Sequence, residues 1–374
     1  MKEICIGLVG SGWMGKAHSS ALADAQMLFG PDYGVAAFEI VADANEEAAK
    51  AAQKKIGFKR VTTNWNDVVT DPNVDLVDIA TPNAFHYAVA KAALENGKNV
   101  YCEKPLCFTT AEAEELEALV KKTGKVMFVS YGYSGHQMIE QAREMVANGD
   151  LGKIRIVNMQ FAHGGNNVAV EKKAESQAWR VDPKKAGPAF SMGDVGTHML
   201  YLAEAICPEL HIKRLMCTKQ SFVEGRTLED NAMSIMEYDN GAVGYIWSSG
   251  VNAGEQFGFR IRIVGEKASV AWDAEKPNYL SYEIQGEAPR MLSRGNGYLY
   301  EGALADDRIG GGHPEGLFES WSNLYTRFAK AIEKTEKGEA IDFWWPDVHA
   351  GVLGVKWVEK CVESADKDAA WVEY

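Results

Sequence analysis

A glycine-rich turn behind a buried strand constrains the fold of this 374-residue chain more than any other feature. Residues 4–9 form a nearly continuous apolar run, which is typical of a parallel strand buried on both faces. A complete GxGxxG motif follows at once. Its first glycine allows a tight turn, its second lets the backbone approach a pyrophosphate, and its third lets a helix pack on the strand. The sequence therefore predicts a dinucleotide site formed by Gly10, Gly12, Trp13, Met14 and Gly15.

An acidic residue is expected to read the ribose of that dinucleotide. Residues 38–42 are predicted to form a second strand that leads into Asp43, where the ribose hydroxyls should lie. The insertion at 27–35 is expected to be a long loop that explains the wide spacing from Gly15 to Asp43. Because a carboxylate disfavours a 2′-phosphate, Asp43 favours NAD over NADP. The alternative is a solvated carboxylate at the end of the strand.

Strands and helices then alternate through the first third of the chain. Predicted strands at 74–80, 99–102 and 126–130 alternate with predicted helices at 85–96 and 109–122. This order predicts a doubly wound parallel sheet over residues 1–130 that binds its ligand at the carboxyl ends of the strands. The polar or turn residues at those ends are Thr81, Pro82, Asn83, Glu103 and Lys104.

Residues 131–374 show a different pattern, which predicts a second domain. Apolar residues alternate with period two at 154–161, 231–238, 242–247, 259–264 and 279–284, and helices are expected at 317–334 and 346–364. Such alternation predicts an antiparallel meander with one face to be covered. The predicted fold class is therefore α/β: an N-terminal Rossmann domain plus a C-terminal α+β domain with a large, mostly antiparallel, open-faced sheet.

An aspartate and a histidine in the second domain are candidates for proton transfer. If a helix starts at Asp194, then His198 lies one turn later on the same face. The acid can orient the imidazole, and histidine can accept an alcohol proton near neutral pH. The alternative is a helix cap with a solvent-exposed histidine.

The composition of the chain disfavours several classes of binding partner. The 39 Lys and Arg against 52 Asp and Glu give a net charge of −13, which disfavours nucleic acid. We find no apolar run of the roughly 18 residues that could span a membrane, and no zinc ligand set or other metal site is visible. The irregularly spaced cysteines are typical of a cytoplasmic protein. Eight of the ten tryptophans follow residue 150, either to stack on a sugar or to fill the core and a subunit interface.

Four motifs together resemble the Gfo/Idh/MocA oxidoreductases over essentially the whole chain. They are the GxGxxG turn, Thr81-Pro82-Asn83 with His86, Glu103-Lys104-Pro105, and Asp194-Val195-Gly196-Thr197-His198. The resemblance implies NAD as cofactor, a carbohydrate or glycoside substrate, a cis bond before Pro105, and a homo-oligomer formed through the second domain's sheet.

The resemblance also implies a role for each matching residue. Lys104 should hydrogen-bond the reacting hydroxyl, Asp194 should orient the substrate and His198, and His198 should act as the general base. The residues expected to line the cofactor are Pro82, Asn83, His86 and Glu103, with Trp179 and Arg180 from the second domain. Residues 312–316 resemble a His-Pro-Glu-Gly segment of relatives that oxidise pyranosides, which makes His313 a candidate sugar contact.

Two segments depart from the family pattern where relatives border their substrates. Pro188-Ala189-Phe190 stands where many relatives carry three glycines, and residues 131–136 replace an Asn- and Arg-containing segment. The second segment contains Tyr133, a further candidate substrate contact. The substrate pocket is therefore expected to be distinctive.

Three hypotheses remain open. The first is an NAD-dependent dehydrogenase acting on a secondary hydroxyl of a sugar, cyclitol or glycoside, with C3 of a glucoside preferred. The second is an NAD-dependent glycoside hydrolase that oxidises transiently and eliminates the aglycone. The third is a non-catalytic NAD-sensing regulator, which the presence of Lys104, Asp194 and His198 disfavours.

Overall fold

A computed structural model describes residues 3–30, 34–167 and 178–374. Contacts divide the chain into two compact units. The first contains Met1–Gly132 and Leu317–Leu353, and the second contains Tyr133–Gly316 and Gly354–Tyr374. The first unit therefore includes a late segment that a simple division of the chain at residue 130 would assign to the second.

The described strands and helices are numbered here in chain order. The strands are β1 Glu3–Val9, β2 Val35–Ala42, β3 Arg60–Thr62, β4 Leu76–Ile79, β5 Asn99–Cys102, β6 Met127–Val129, β7 Ile154–Ala162, β8 Ile212–Gln220, β9 Asn231–Tyr238, β10 Val243–Ser249, β11 Phe259–Gly265, β12 Ala268–Asp273, β13 Tyr279–Ile284, β14 Arg290–Ser293 and β15 Val372–Glu373. The helices are α1 Trp13–Phe29, α2 Glu46–Ile56, α3 Asn66–Val69, α4 His86–Glu95, α5 Thr110–Thr123, α6 Gln137–Ala147, α7 Pro183–Ala186, α8 Thr197–Ile206, α9 Glu301–Ala305, α10 Leu317–Glu336 and α11 Val348–Asp366.

The first unit is built on a parallel sheet of six strands in the order β3-β2-β1-β4-β5-β6. This is the strand order of a doubly wound dinucleotide-binding fold, so the predicted Rossmann fold is confirmed. Helix α10 belongs here because its apolar face packs on the sheet and α1. Tyr325 and Phe328 share one core with Ile6 and Leu22.

The expected long loop after α1 is wrong in part. Helix α1 continues to Phe29 and β2 begins at Val35, so residues 27–29 lengthen the helix. Residues 31–33 of the expected loop lie outside the described residues. The strand bounds predicted later in this unit were more accurate. The strand predicted at 99–102 is β5, Asn99–Cys102, in the structure.

The second unit is built on a nine-stranded sheet in the order β14-β13-β12-β11-β7-β10-β9-β8-β15. Most neighbours are antiparallel, which confirms the predicted class of sheet. The expected uninterrupted meander is wrong, however, because β7 and β10 pair in parallel. The chain leaves β7 and returns only after α8 and the β8–β9 pair, so β10 enters beside β7 in the same direction. A period of two shows which face a side chain occupies, but it leaves strand direction open.

One face of this sheet packs on helices and the other is open. Val157, Met159 and Met236 belong to the same core as Leu200 of α8 and Trp357 of α11. Residues of the opposite pleat are exposed although several of them are apolar: Ile156, Met233, Ile235, Val243 and Tyr245. Among the described residues, no helix combines the length and apolarity that crossing a bilayer requires.

Candidate active site

The glycine-rich turn of the first unit has the geometry of a pyrophosphate cradle. Gly10 adopts a φ of +98°, and a Cβ there would lie 2.6 Å from the carbonyl oxygen of Ala80. A Cβ at Gly15 would lie 2.2 Å from the Gly10 carbonyl oxygen, so only glycine lets α1 approach β1 this closely. A Cβ at Gly12 would meet nothing within 4 Å. No side chain caps the first turn of α1, which leaves its amides to an anion. These residues fit the pyrophosphate of NAD.

Asp43 lies directly beside this turn, at the carboxyl end of β2. The backbone N–H and the hydroxyl of Ser11 donate to Asp43 Oδ2 at 3.0 and 2.6 Å. The backbone N–H of Asn45 donates to Oδ1 at 3.0 Å. The carboxylate is thus fixed next to the dinucleotide turn, as expected of a group that reads the ribose.

His86 supports the two loops that carry the other predicted cofactor residues. Its ring nitrogens lie 2.9 Å from the carbonyl oxygens of Thr81 and Pro105, and the side chain is fully buried. Burial lowers the pKa of His86. The enclosed ring therefore holds these loops in place, and a direct contact of His86 with the cofactor stays a prediction. The bond between Lys104 and Pro105 is cis, as predicted.

Glu103 and Lys104 follow β5 directly, at the edge of the sheet where ligands of this fold bind. Glu103 is buried, and its Oε1 lies 3.0 Å from Nε2 of His18. The backbone N–H of Lys104 donates to Glu103 Oε2 at 3.3 Å. Lys104 itself is half-buried, and its charge lies within electrostatic reach of the Glu103 carboxylate. Asn83 is also buried at a neighbouring strand end.

In the second unit, Asp194 and His198 share one continuous helical segment, but the expected helix start at Asp194 is wrong. The N–H of Asp194 already donates to the Phe190 carbonyl at 2.8 Å. A π-helical turn, Met192–Gly196, then leads into α8. Single π turns occur frequently at functional sites, where the extra residue redirects a side chain. His198 is buried and Asp194 is half-buried.

A buried glutamate holds the start of this segment. Glu229 Oε1 accepts hydrogen bonds from the N–H of Phe190 at 3.0 Å, the N–H of Met192 at 2.9 Å and the hydroxyl of Ser191 at 3.2 Å. Burial raises the pKa of Glu229, and these donors oppose the increase. The departure at Pro188-Ala189-Phe190 therefore lies on a well-anchored turn.

Aromatic side chains surround the imidazole of His198. The rings of Tyr133 and His198 meet edge to face, with centroids 4.8 Å apart, and Phe161 packs beside both. Tyr133 is half-buried. The structure thus brings the predicted residues Tyr133, Asp194 and His198 together within one unit.

One further predicted residue, Arg180, approaches Asp194, and another, Trp179, contacts Arg180. The guanidinium Nε of Arg180 lies 3.7 Å from Asp194 Oδ1, and the same guanidinium lies over the ring of Trp179 at 4.8 Å from its centroid. His163 is also within electrostatic reach of Asp194: burial lowers the pKa of His163 and the carboxylate opposes the decrease. His163 was not predicted from the sequence.

His313 lies apart from this group, on an exposed loop of the second unit. The loop is ordered by Glu315, whose Oε1 accepts the N–H groups of Arg308 at 2.8 Å and Ile309 at 3.0 Å. Arg294 donates to the same oxygen at 2.7 Å. A contact between His313 and a sugar stays a prediction. Of the predicted tryptophans, Trp272 and Trp321 are core residues.

Among the buried charged groups that were missed from the sequence are His18, Asp78 and Glu229. Asp78 interrupts the apolar run of β4, and a charge inside a buried strand is a signal that could have been used. His18 and Glu229 lack such a signal, because their partners are distant in sequence. No group of three His, Cys, Asp or Glu side chains in the described parts of the chain is arranged to hold a metal ion.

A Rossmann unit with a fitting dinucleotide turn, joined to a unit carrying an acid–histidine pair, defines a nicotinamide-dependent oxidoreductase. The chain belongs to the Gfo/Idh/MocA family of oxidoreductases. The family's NAD-binding Rossmann fold matches residues 4–131, and its C-terminal α/β domain matches residues 143–374.

Its relatives include an inositol dehydrogenase homolog, an uncharacterized oxidoreductase and a levoglucosan dehydrogenase. The chain is 47% identical to an inositol dehydrogenase homolog from Azotobacter vinelandii, solved with NADH and myo-inositol, and the match covers 100% of this chain and 98% of that one at a TM-score of 0.91. It is 49% identical over 306 residues to the uncharacterized oxidoreductase YfiI of Bacillus subtilis, covering 80% of this chain and 78% of the other. Levoglucosan dehydrogenase of Pseudarthrobacter phenanthrenivorans is 28% identical over 75% of this chain and 76% of its own length.

Proposed function

We propose that this protein oxidises a secondary ring hydroxyl of a cyclitol or sugar, with NAD as the hydride acceptor. The observation that carries the proposal is the pairing of Asp194, on the π turn, with His198, in the first turn of α8. The other unit of the same chain has a fitting dinucleotide turn and, later in its sequence, Lys104. The relative from Azotobacter vinelandii, which holds NADH and myo-inositol, supports a cyclitol as the first substrate to test. A glucoside oxidised at C3 is the second.

Each residue of the chain has a separate role in this proposal. Lys104 donates a hydrogen bond to the oxygen of the reacting hydroxyl, and its charge stabilises that oxygen as the proton leaves. His198 accepts the proton as the general base. Asp194 orients the imidazole and the substrate, and Arg180 holds Asp194 by its charge. NAD supplies the hydride acceptor when it is bound.

Two features support the choice and placement of the cofactor. The fixed carboxylate of Asp43 accepts ribose hydroxyls and repels a 2′-phosphate, which favours NAD over NADP. Pro82 and Asn83, which follow β4, complete the proposed cofactor site of the first unit, and a cofactor contact from Trp179 stays a prediction. The exposed apolar residues of the open sheet face, including Ile235 and Tyr245, support a homo-oligomer, since a patch of this kind is typical of an interface.

The test is NADH absorbance with the full chain, NAD and a panel of myo-inositol, levoglucosan, free sugars and methyl glucosides. We expect NADH to accumulate with one class of ring alcohol. Lys104→Ala and His198→Asn should each lower kcat by roughly 10²- to 10⁴-fold with an unchanged Kd for NAD. Lys91→Ala is the matched control, because Lys91 pairs with Glu115 on the surface of the same unit.

The other hypotheses give different results in the same experiment. Release of aglycone without NADH would indicate the hydrolase. NAD binding without turnover on the whole panel would favour the regulator. Full turnover in both Lys104→Ala and His198→Asn would contradict the assignment of the site.

A further inference from the structure

A buried histidine beneath the predicted chemistry has no part in the mechanism above. His18 lies on α1, three residues after Gly15, and is 1% exposed. Its Nδ1 lies 2.9 Å from Oδ1 of Asp78, and its Nε2 lies 3.0 Å from Oε1 of Glu103. The imidazole therefore joins a carboxylate of β4 to a carboxylate that follows β5.

A hydroxyl group and two aromatic rings also lie against His18. The hydroxyl of Ser130, after β6, lies 3.2 Å from Nε2. The rings of Tyr101 and Trp321 meet the imidazole edge to face, with centroids at 4.8 and 5.7 Å. The second oxygen of Asp78 has no hydrogen-bond partner among the described residues. The compensation for the Asp78 charge must therefore come from His18.

The contacts with Asp78 and Glu103 indicate the protonation state of the His18 ring. A neutral imidazole has one N–H and one lone pair, so one of its nitrogens would present a lone pair to a carboxylate oxygen. An imidazolium donates to both oxygens. Burial by itself lowers the pKa of His18, but Asp78 and Glu103 outweigh it and raise this pKa to about 10. Burial raises the pKa of Glu103, yet His18 and Lys104 lower it to about 2.

Glu103 connects this imidazolium to the proposed catalytic lysine. One carboxylate oxygen faces His18, and the other accepts the backbone N–H of Lys104 at 3.3 Å. We propose that His18 is held as an imidazolium between Asp78 and Glu103 and that it positions Lys104 through Glu103. The positioning part rests on the proposed function of Lys104, whereas the charge state of His18 does not.

The charge state is tested directly by ¹⁵N NMR of the full chain labelled on histidine, without cofactor. His18 should keep both ring nitrogens protonated from about pH 7.5 to pH 9, where an ordinary histidine has lost one proton. The matched control is His136, a buried histidine of the second unit whose pKa burial lowers to about 4, so it should stay neutral. Burial raises the pKa of Asp78, so the competing arrangement places the proton there. A single protonated nitrogen on His18 at about pH 7 would overturn the proposal.

Positioning is tested by kinetics on a variant that removes the cation and one carboxylate together. His18→Gln alone leaves two buried carboxylates uncompensated and is expected to fold poorly. The network of His18, Asp78 and Glu103 carries one net negative charge in wild type, and the double variant H18Q/D78N keeps that net charge. The NMR signals that disappear in this variant also identify those of His18. We expect the double variant to lower kcat roughly 10- to 10²-fold by misplacing Lys104, with a different pH profile and an unchanged Kd for NAD. Asp78→Asn alone, which keeps the His18–Glu103 contact, should retain most of kcat.

The outcomes separate this inference from the proposed function. Wild-type kcat in H18Q/D78N would overturn the positioning role even if NMR finds His18 protonated. Equal loss of kcat in Asp78→Asn and in the double variant would also overturn it, because the effect would then belong to Asp78. Full turnover in Lys104→Ala would refute the proposed function, while the NMR result would still report the charge state of His18.

Discussion

Replacing Glu229 with alanine should loosen the helical segment that carries Asp194 and His198. Both carboxylate oxygens lie 3.0 Å from the N–H of Phe190, and Oε1 also accepts the N–H of Met192 at 2.9 Å. Alanine leaves two buried N–H groups unsatisfied, at roughly 1–3 kcal/mol each. We therefore expect the free energy of unfolding to fall by about 2–6 kcal/mol.

Glutamine at the same position should cost much less. It keeps an acceptor oxygen for Phe190 and Met192 and loses one shared contact, which is worth about 1 kcal/mol. Because burial raises the pKa of Glu229 in the fold, its contribution is largest below the unfolded pKa and declines as the pH rises through the folded value. The difference between wild type and Glu229→Gln should therefore shrink from acid to neutral pH.

Urea unfolding followed by tryptophan fluorescence measures both variants, and hydrogen exchange of residues 190–206 localises the effect. Kinetics should show a lower kcat for Glu229→Ala, since a displacement of about 1 Å at a reacting group can cost 10²-fold. Glu237→Ala is the matched control: this glutamate of β9 pairs with Arg214 at the surface and should unfold like wild type. Wild-type unfolding of Glu229→Ala, or protection of residues 190–206 equal to wild type, would refute the reasoning.

Three further predictions follow from other parts of the structure. Asp43→Ala should raise kcat/KM with NADP relative to NAD about tenfold, or about 1.4 kcal/mol, while the exposed Asp67→Ala changes neither; an unchanged ratio would count against Asp43 as the ribose reader. Glu103 has a pKa of about 2 in the fold against about 4.3 when unfolded, so its stabilisation is complete above the unfolded value and disappears as the pH falls through the folded value. Glu103→Gln should therefore lose roughly 3 kcal/mol at neutral pH, with the deficit vanishing toward pH 2 in urea unfolding; a deficit independent of pH would contradict this. Ile235→Glu, on the open sheet face, should lower the mass in analytical ultracentrifugation, whereas Met27→Glu, at another exposed apolar residue in the first unit, should not; equal masses for wild type and Ile235→Glu would argue against that interface.

Local signals were sufficient for most of the fold. The predicted helix at 109–122, for example, begins with a capping box, in which the Thr109 side chain accepts from the Glu112 N–H while Glu112 reaches back to the Thr109 N–H. Such features depend on residues that are neighbours in sequence. The return of α10 to the first unit could not be predicted in this way, because an amphipathic pattern identifies the buried face of a helix but not its partner. Strand direction in the second sheet was undetermined for the same reason.

The candidate site also contains some features that local sequence signals could predict and others that they could not. The glycine-rich turn, Asp43 and the residues after β4 and β5 could be predicted to lie near one another, because parallel strands present their carboxyl ends at one edge. The π turn was missed, since no sequence pattern distinguishes it from the first turn of α8. The enclosed position of His86 was also missed. His86 is the first residue of α4. A histidine at that position has the same sequence pattern whether its ring faces a ligand or two backbone carbonyls.

The buried charged groups that the sequence did not reveal are connected to the residues proposed for catalysis. Burying an ionised group costs free energy unless a partner compensates it, and an apolar packing of similar volume is often at least as stable. His18 with Asp78 and Glu103, and Glu229 beneath the π turn, lie directly under the residues to which we assign proton transfer. Each network fixes a backbone segment that carries such a residue: the strand end before Lys104, and the turn that contains Asp194. If the networks served stability alone, apolar substitutes would be equivalent. The combination of lower kcat with intact NAD binding in H18Q/D78N is therefore the result that separates positioning from mere stability.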